Sequence, residues 1–193
     1  MLAEQGLQVT AVDPARNSLA VAQSKPGAKL VNWIHGDSED ITHDGADMTI
    51  MTGNTAQAII DDRDWLATLK NVRKSLRNDG LFVFETRNPE FEGWKEWNKD
   101  SSYRIVDVPN VGKVETWIDL LDVALPYVSF TWTWIFQEDS VTLTSVSKIR
   151  FRSRTEIEYD LMMSGYKIIN IREAPDRVGK ELIFIAKSND LLE

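Results

Sequence analysis

Three short apolar runs, each stopping at a polar turn, constrain this chain more than any other feature. Gln8-Val9-Thr10-Ala11-Val12 ends at Asp13-Pro14. Leu30-Val31-Asn32-Trp33-Ile34 ends at His35-Gly36-Asp37, and Asp47-Met48-Thr49-Ile50-Met51 ends at Thr52-Gly53-Asn54. Between the first two, residues 15–23 place Leu19 and Ala22 on one side and Arg16 on the other, a helical spacing that Pro26-Gly27 breaks. After the third run, Trp65, Leu66, Leu69, Val72 and Leu76 form one helical face, with Lys70, Arg73 and Lys74 outside it. Asp61 or Asp62 suits the first turn of that helix, and Asn78-Asp79-Gly80 suits its end. The continuous run Leu81-Phe82-Val83-Phe84 then reads as a strand covered on both faces. Strands alternating with helices in this way predict an α/β fold with a largely parallel sheet.

The pattern changes over residues 94–152. Residues 103–108, 113–122, 127–137 and 141–151 read as successive antiparallel strands, with turns at Pro109-Asn110, Pro126 and Glu138-Asp139. In the third of them Phe130, Trp132, Trp134 and Phe136 share one face and Thr131 and Thr133 the other, the period of two of a strand. Residues 155–164 return to a helical pattern, with Ile157, Leu161 and Met162 inward and Gly165 closing it. Residues 166–172 and 181–187 read as an antiparallel pair. The expected organisation is an α/β domain from residues 1–93 and 153–193. An antiparallel β subdomain over 94–152 is inserted into it, as a substrate lid or a dimer contact.

Composition removes several classes of function. A length of 193 residues favours one domain with an insertion. Thirty acidic against 22 basic residues give a net charge of −8, which argues against nucleic-acid binding by phosphate neutralisation. There is no cysteine and only two histidines, His35 and His43, so thiolate and histidine-rich metal sites are not expected. No apolar run approaches the roughly 20 residues that span a bilayer. The first residues have neither a basic leader nor a long apolar core, and a cytoplasmic setting is expected.

The residues able to do chemistry stand at the strand ends. In open α/β sheets ligands bind in the crevice beyond the carboxyl ends of the strands. Asp13 there can accept hydrogen bonds from the two ribose hydroxyls of a nucleoside, or it can cap the following helix. Asp37, ending the next strand, can accept an adenine amine, or it is an acid of the solvated turn that also holds Glu39, Asp40 and Asp44. The turn Thr52-Gly53-Asn54 brings backbone close to a ligand, or it is a plain strand-to-helix connection.

Taken in order, Val9-Thr10-Ala11-Val12-Asp13-Pro14, Gly36-Asp37-Ser38, the stretch 47–54 and Asn78-Asp79-Gly80 before Leu81-Phe82-Val83-Phe84 resemble consecutive motifs of the class I S-adenosylmethionine-dependent methyltransferases. The resemblance covers about residues 1–90 and 153–188. It implies a Rossmann-like methyltransferase sheet with a C-terminal antiparallel hairpin, S-adenosylmethionine as cofactor, and a small-molecule methyl acceptor. It further implies that Asp13 and Pro14 hold the ribose, that Asp37 and Ser38 lie beside the adenine, and that Thr52, Gly53 and Asn54 line the cofactor cleft. Methyl transfer then follows from holding acceptor and sulfonium in line.

The chain departs from that family in one respect. The family opens with a strand and a Gly-x-Gly turn, whereas no two of the ten glycines here are separated by a single residue. The absent first strand lies at the middle of the family's sheet. The expectation is therefore that residues 9–12 close directly on 48–51, or that a second chain fills the gap. The resemblance implies a methyltransferase impaired by this shortening. The alternative is a non-catalytic fragment or pseudoenzyme acting as a dimerising or ligand-binding module. A nicotinamide-dependent dehydrogenase also suits Asp13 but leaves Gly36-Asp37-Ser38 without a role.

On the acceptor side, Glu85, Arg87 and Asn88 end the strand where substrates of the family sit. Arg87 reads as an anion-binding residue or as half of a surface ion pair. Trp132 and Trp134, with Phe130 and Phe136, read as an aromatic wall for the substrate or as the core of their own sheet. Trp94 and Trp97 read as a lid or as packing residues. His35 precedes a tight turn and reads as structural, and His43 as an exposed loop residue. No catalytic base is assigned. No nucleic-acid or membrane partner is expected; the aromatic sheet and the unpaired strands are compatible with a homodimer.

Overall fold

The computed structural model describes residues 2–41 and 45–189. His43 and Asp44 lie outside the described residues. The elements in chain order are β1 (Val9–Asp13), α1 (Arg16–Gln23), β2 (Val31–His35), β3 (Ala46–Met51), α2 (Thr55–Ala58), α3 (Asp62–Ser75) and β4 (Leu76–Arg87). They continue as α4 (Lys99–Ser102), β5 (Arg104–Val108), β6 (Gly112–Ala124), β7 (Tyr127–Phe136), β8 (Thr142–Arg150), α5 (Arg154–Met163), β9 (Tyr166–Glu173) and β10 (Glu181–Ser188).

Three sheets result. β1 and β2 form a parallel pair, β3-β4-β10-β9 a mixed sheet of four strands, and β5-β6-β7-β8 an antiparallel meander. Within the mixed sheet β3 and β4 are parallel, while β10 runs antiparallel to both β4 and β9. The strand–helix alternation and the closing hairpin are therefore as the sequence pattern predicts.

The main core lies between the mixed sheet and helices α3 and α5. Trp65, Leu69 and Val72 from α3 and Ile157 and Leu161 from α5 are buried against Phe82, Phe84 and Phe184 of the sheet. Asp61 caps α3 by accepting from the Arg63 amide at 2.8 Å. Ser153 and Glu156 close the start of α5 with a reciprocal capping box. Along β4, Phe82, Phe84 and Thr86 are buried while Leu81, Val83, Glu85 and Arg87 are half-buried. The strand is thus dry on one face only, and the other face is free to carry polar side chains.

Three sequence expectations need correction here. The helix over α3 ends at Ser75, and Asn78-Asp79-Gly80 lies inside β4 rather than capping the helix. Asp79 takes a left-handed φ of 66°, and the β3–β4 register shifts between Ala46 and Met48, so the turn-forming triplet is accommodated as an irregularity in the ladder. Met162 is 61% exposed, because α5 buries a narrow stripe at Ile157 and Leu161 alone. Finally, the first of the two arrangements expected at the gap does not form: residues 9–12 do not close on 48–51. β1 pairs with β2 and β3 with β4, and no ladder joins the two sheets among the described residues. Met48 and Ile50 are accordingly 48% and 49% exposed. The β1–β2 pair is anchored elsewhere: the 3-10 turn Ser38–Asp40 that follows β2 packs on α3, where Ser38 Oγ donates to Thr68 Oγ1 at 3.4 Å and accepts from Asn71 Nδ2 at 3.3 Å.

Residues 94–152 supply the meander, together with the short helix α4 that the loss of helical periodicity had concealed. Their own core contains Trp94, Ile118, Val128, Phe130, Ile149 and Phe151.

One buried contact carries a pH dependence. Asp160 of α5 accepts from the Trp65 indole at 2.9 Å. Burial raises its carboxyl above the usual value of 3.8, the Trp65 bond opposes this, and Glu156 adds to the rise. An acid held above its unfolded pKa costs stability once ionised, so the cost is absent below that value and grows as the pH rises through the window above it. Asp160→Asn keeps an acceptor for Trp65. It is expected to raise the melting temperature at pH 7 and to leave it unchanged at pH 3. An equal shift at both pH values would refute the burial argument.

Candidate functional site

Two groups of polar residues gather at the carboxyl ends of the parallel strands. The first belongs to β1 and β2. Asp13 stands opposite His35 in the ladder, and the Gly36 amide donates to the Asp13 carbonyl at 3.2 Å, so the Asp13 and Asp37 turns are neighbours. Asp13 Oδ1 accepts from the Ala15 amide at 2.7 Å and tightens the turn through Pro14. Its other carboxylate oxygen makes no hydrogen bond among the described residues. His35 Nε2 lies 3.2 Å from the Pro14 carbonyl, a contact that ties the same two turns together.

Asp37 opens a capping box. Its Oδ1 accepts from the Glu39 amide at 2.8 Å, and the Asp37 amide donates to Asp40 Oδ2 at 3.0 Å. Gly36 is required beneath this box, since a Cβ there would stand 2.0 Å from Asp40 Oδ2. Part of the Gly36-Asp37-Ser38 signal is therefore structural, and Ser38 is engaged with α3.

The second group surrounds the ends of β3, β4 and β10. Gly53 and Asn54 take consecutive left-handed conformations, with φ of 70° and 58°. The Gly53 amide donates to Glu85 Oε1 at 2.8 Å, while a Cβ at Gly53 would meet nothing within 4 Å, so the turn has an open face. Thr52 closes the same turn by accepting, through its carbonyl, from Thr55 Oγ1 at 2.7 Å. Asn54 is buried and donates to Glu181 Oε1 at 3.0 Å, and Arg177 donates to the same oxygen at 3.0 Å. Glu181 pairs with Arg87 in the antiparallel register of β10 on β4. Arg87 donates to Gln57 Oε1 at 2.9 Å and lies 5.6 Å from the centre of the Trp97 ring. Burial lowers the pKa of Arg87; Glu181 and Glu85 oppose the shift, and Arg177 adds to it.

A cavity of about 140 Å³ opens here, lined by Arg87, Asn88, Trp97, Arg177, Lys180 and Glu181 among others. Asn88 frames it, accepting from the Glu90 amide at 3.1 Å and donating to the Gly179 carbonyl at 3.1 Å. Three buried polar atoms in this group have no hydrogen-bond partner: Asn54 Oδ1, Gln57 Nε2 and Glu181 Oε2. Buried polar groups are usually satisfied, so these three atoms retain capacity for a partner such as an ordered water or a ligand.

The structure thus brings Arg87 and Asn88 to one cavity, whereas Thr52, Gly53 and Asn54 do not line it; Asn54 reaches it only through its bond to Glu181. It does not bring Trp132 and Trp134 there. Trp132 packs on the core of the meander, stacks on Trp134 at 6.0 Å and meets Arg104 at 5.8 Å. Phe130 and Trp132 turn toward the meander's own core, and the aromatic ring that lines the cavity beside Arg87 is Trp97. Glu181, Arg177 and Gln57 were missed from sequence. A signal existed for Glu181: it is the acid that directly precedes the apolar run 182–186, and an antiparallel last strand begins where its parallel neighbours end. Among the described residues no cluster suited to a metal ion occurs, and no helix is long and apolar enough to cross a membrane.

Comparison with known proteins bears on this arrangement. Residues 1–80 match a family model described as a methyltransferase domain. The cypemycin N-terminal methyltransferase of a Streptomyces species is 31% identical over 93 residues, which is 47% of this chain and 38% of that protein. The match therefore spans well under half the length of this curated relative. An S-adenosylmethionine-dependent methyltransferase from Clostridium acetobutylicum is similar in structure, with a TM-score of 0.77 at 16% identity over 95% of this chain and 76% of that one. CalS10, an amino pentose methyltransferase from Micromonospora echinaspora solved with S-adenosylmethionine bound, gives a TM-score of 0.68 at 14% identity over 94% and 74%.

Proposed function

We propose that this chain, whose first 80 residues match a methyltransferase-domain family model and whose fold is similar to that of S-adenosylmethionine-dependent methyltransferases, methylates an amine on a small molecule. The observation that carries the reading is the pair of neighbouring acid turns at the ends of β1 and β2, in a chain that also has a polar cavity at the end of β4. The relatives support an amine as acceptor, one acting on a peptide N-terminus and another on an amino sugar.

The residues present fit the nucleoside half of S-adenosylmethionine. Asp13 has one oxygen committed to its own turn and one uncommitted, the acceptor capacity a ribose hydroxyl needs. Asp37 is held rigid by its capping box, with its second oxygen likewise unbonded among the described residues. Ser38 is engaged with α3 and serves by fixing Asp37 rather than by touching the adenine. The open turn at Gly53 gives backbone access to the remainder of the cofactor, in a chain that has no Gly-x-Gly turn. When bound, the cofactor supplies an electrophilic methyl group on a sulfonium. The chain's own residues orient the acceptor toward it from the β4–β10 side, and residues 94–152 contribute Trp97 to that side.

Calorimetric titration with S-adenosylhomocysteine tests this. Binding is expected, and Asp13→Ala is expected to weaken it at least about thirtyfold, the loss of hydrogen bonds to a charged group at ~1.5–3 kcal/mol each. No heat of binding to a folded chain would refute the reading.

A further inference from the structure

The cavity at the end of β4 is built with two walls of opposite polarity. On one side Glu181 is 4% exposed and uses a single oxygen for both Asn54 and Arg177. Its Oε2 is buried and unpartnered, so this wall holds one acceptor that lacks a donor; Asn54 Oδ1, on the side chain that bonds Glu181, is unpartnered as well but does not line the cavity. On the other side Arg87 rests on the Trp97 ring and donates to Gln57, and no carboxylate reaches it within ion-pair distance among the described residues. Gln57 Nε2 beside it is a buried donor without an acceptor. The volume of about 140 Å³ is far more than the ~10–15 Å³ that one water requires.

Both signs of charge are present in this group. Arg87, Arg177 and Lys180 stand among Glu85, Glu96, Asp176 and Glu181, with Arg177 bridging Glu181 at 3.0 Å, Asp176 at 3.3 Å and Glu85 at 3.9 Å, and Lys180 reaching Glu96 at 3.6 Å. A ligand that brought only a cation would satisfy the Glu181 wall and leave the Arg87 wall unmet. A ligand that brought only an anion would do the reverse. Both are met by a compact group with N–H donors at one end and an oxygen acceptor at the other.

We propose that this cavity is the acceptor subsite and that it takes an α-amino-acyl group, a primary amine with a carbonyl or carboxylate on the adjacent carbon. Glu181 Oε2 accepts from the amine, and Arg87 donates to the oxygen. Trp97 flanks the guanidinium and excludes water from it. The inference rests on the methyltransferase reading for the word acceptor, but the binding site itself does not need the cofactor.

The test is binding of small probes to the whole chain, followed by ligand-observed NMR. The probes are L-alaninamide, N-acetyl-L-alaninamide and glucosamine, which offer both ends, the oxygen end alone and an amine without a carbonyl. L-alaninamide is expected to bind saturably, at least about tenfold more tightly than either of the others. Glu181→Gln and Arg87→Met are each expected to weaken it by about tenfold or more, the order of a lost charge-assisted hydrogen bond. Arg87→Lys is expected to restore part of the loss. Should Glu181→Gln fail to fold, Arg87→Met carries the test, since Arg87 lies at the half-buried end of its strand. Equal or tighter binding of glucosamine, no saturable binding of L-alaninamide, or unchanged binding in the folded variants would each overturn the proposal. Titration of S-adenosylhomocysteine in the same samples separates the two readings: its failure with alaninamide bound strikes the cofactor assignment, and the converse strikes the subsite.

Discussion

Phe84→Ala is expected to cost about 3–5 kcal/mol of folding stability, the range for removing a large ring from a packed core. Phe84 is 1% exposed at the centre of the mixed sheet. Its ring stacks on Phe82 at 4.8 Å and on Phe184 at 5.1 Å, and meets the edge of Trp65 at 5.7 Å. These neighbours come from β4, β10 and α3, so the void would touch three elements that cannot collapse together. A domain of this size holds only about 5–15 kcal/mol in all, so one substitution removes a large part of it. Urea denaturation measures the difference. A loss below about 1 kcal/mol would show that the aromatic stack repacks around the gap.

The second large effect is expected at Arg152. It is 3% exposed, donates to the carbonyls of Ile59 at 2.9 Å and Ala56 at 3.3 Å, and lies 4.8 Å from the centre of the Trp65 ring. Burial lowers its pKa, Arg150 adds to this, and Asp62 opposes it. Arg150 beside it pairs with Asp62 and Glu156. Together the two arginines fasten the end of β8 to the start of α3 and to α5, which is the join between the meander and the main core. Arg152→Met preserves bulk but removes the donor from two carbonyls, the buried one of Ala56 and the half-buried one of Ile59. Each such loss costs about 1–3 kcal/mol, and the relief of burying no charge returns some of it, so the expected net is about 2–4 kcal/mol. Denaturation monitored by tryptophan fluorescence reads the loss. A change under about 0.5 kcal/mol would mean that desolvation of the guanidinium already cancels its bonds.

The elements with strong local periodicity were legible in the sequence. The alternation in Phe130, Trp132, Trp134 and Phe136 fixes β7, and the stripe from Trp65 to Val72 fixes α3, because both patterns follow from burial of one side of one element. The end of α3 was not legible. Asn78-Asp79-Gly80 has the residues of a helix stop, yet pairing with β3 draws the chain into a strand from Leu76 onward, and a ladder to a distant segment leaves no local mark. The separation of β1 from β3 was hidden for the same reason. At the site, Asp13, Asp37, Thr52 and Arg87 could be found because each ends a strand. Gln57 could not, and the signal at Glu181 acquires meaning only once β10 is known to lie beside β4.

The hairpin that closes the fold has a consequence for how such a protein changes over generations. Arg177 and Lys180 stand in the loop over 174–180 between β9 and β10, and Glu181 directly follows it, whereas Asp13 and Asp37 belong to a different sheet. Seven consecutive positions therefore carry much of one half of the site without holding any of the other. A lineage can lengthen, shorten or rewrite that loop while the turns at Asp13 and Asp37 stay under separate selection. Shuffling the hairpin between paralogues is a route by which one scaffold acquires new acceptors, and it is the segment to randomise first in a directed-evolution library.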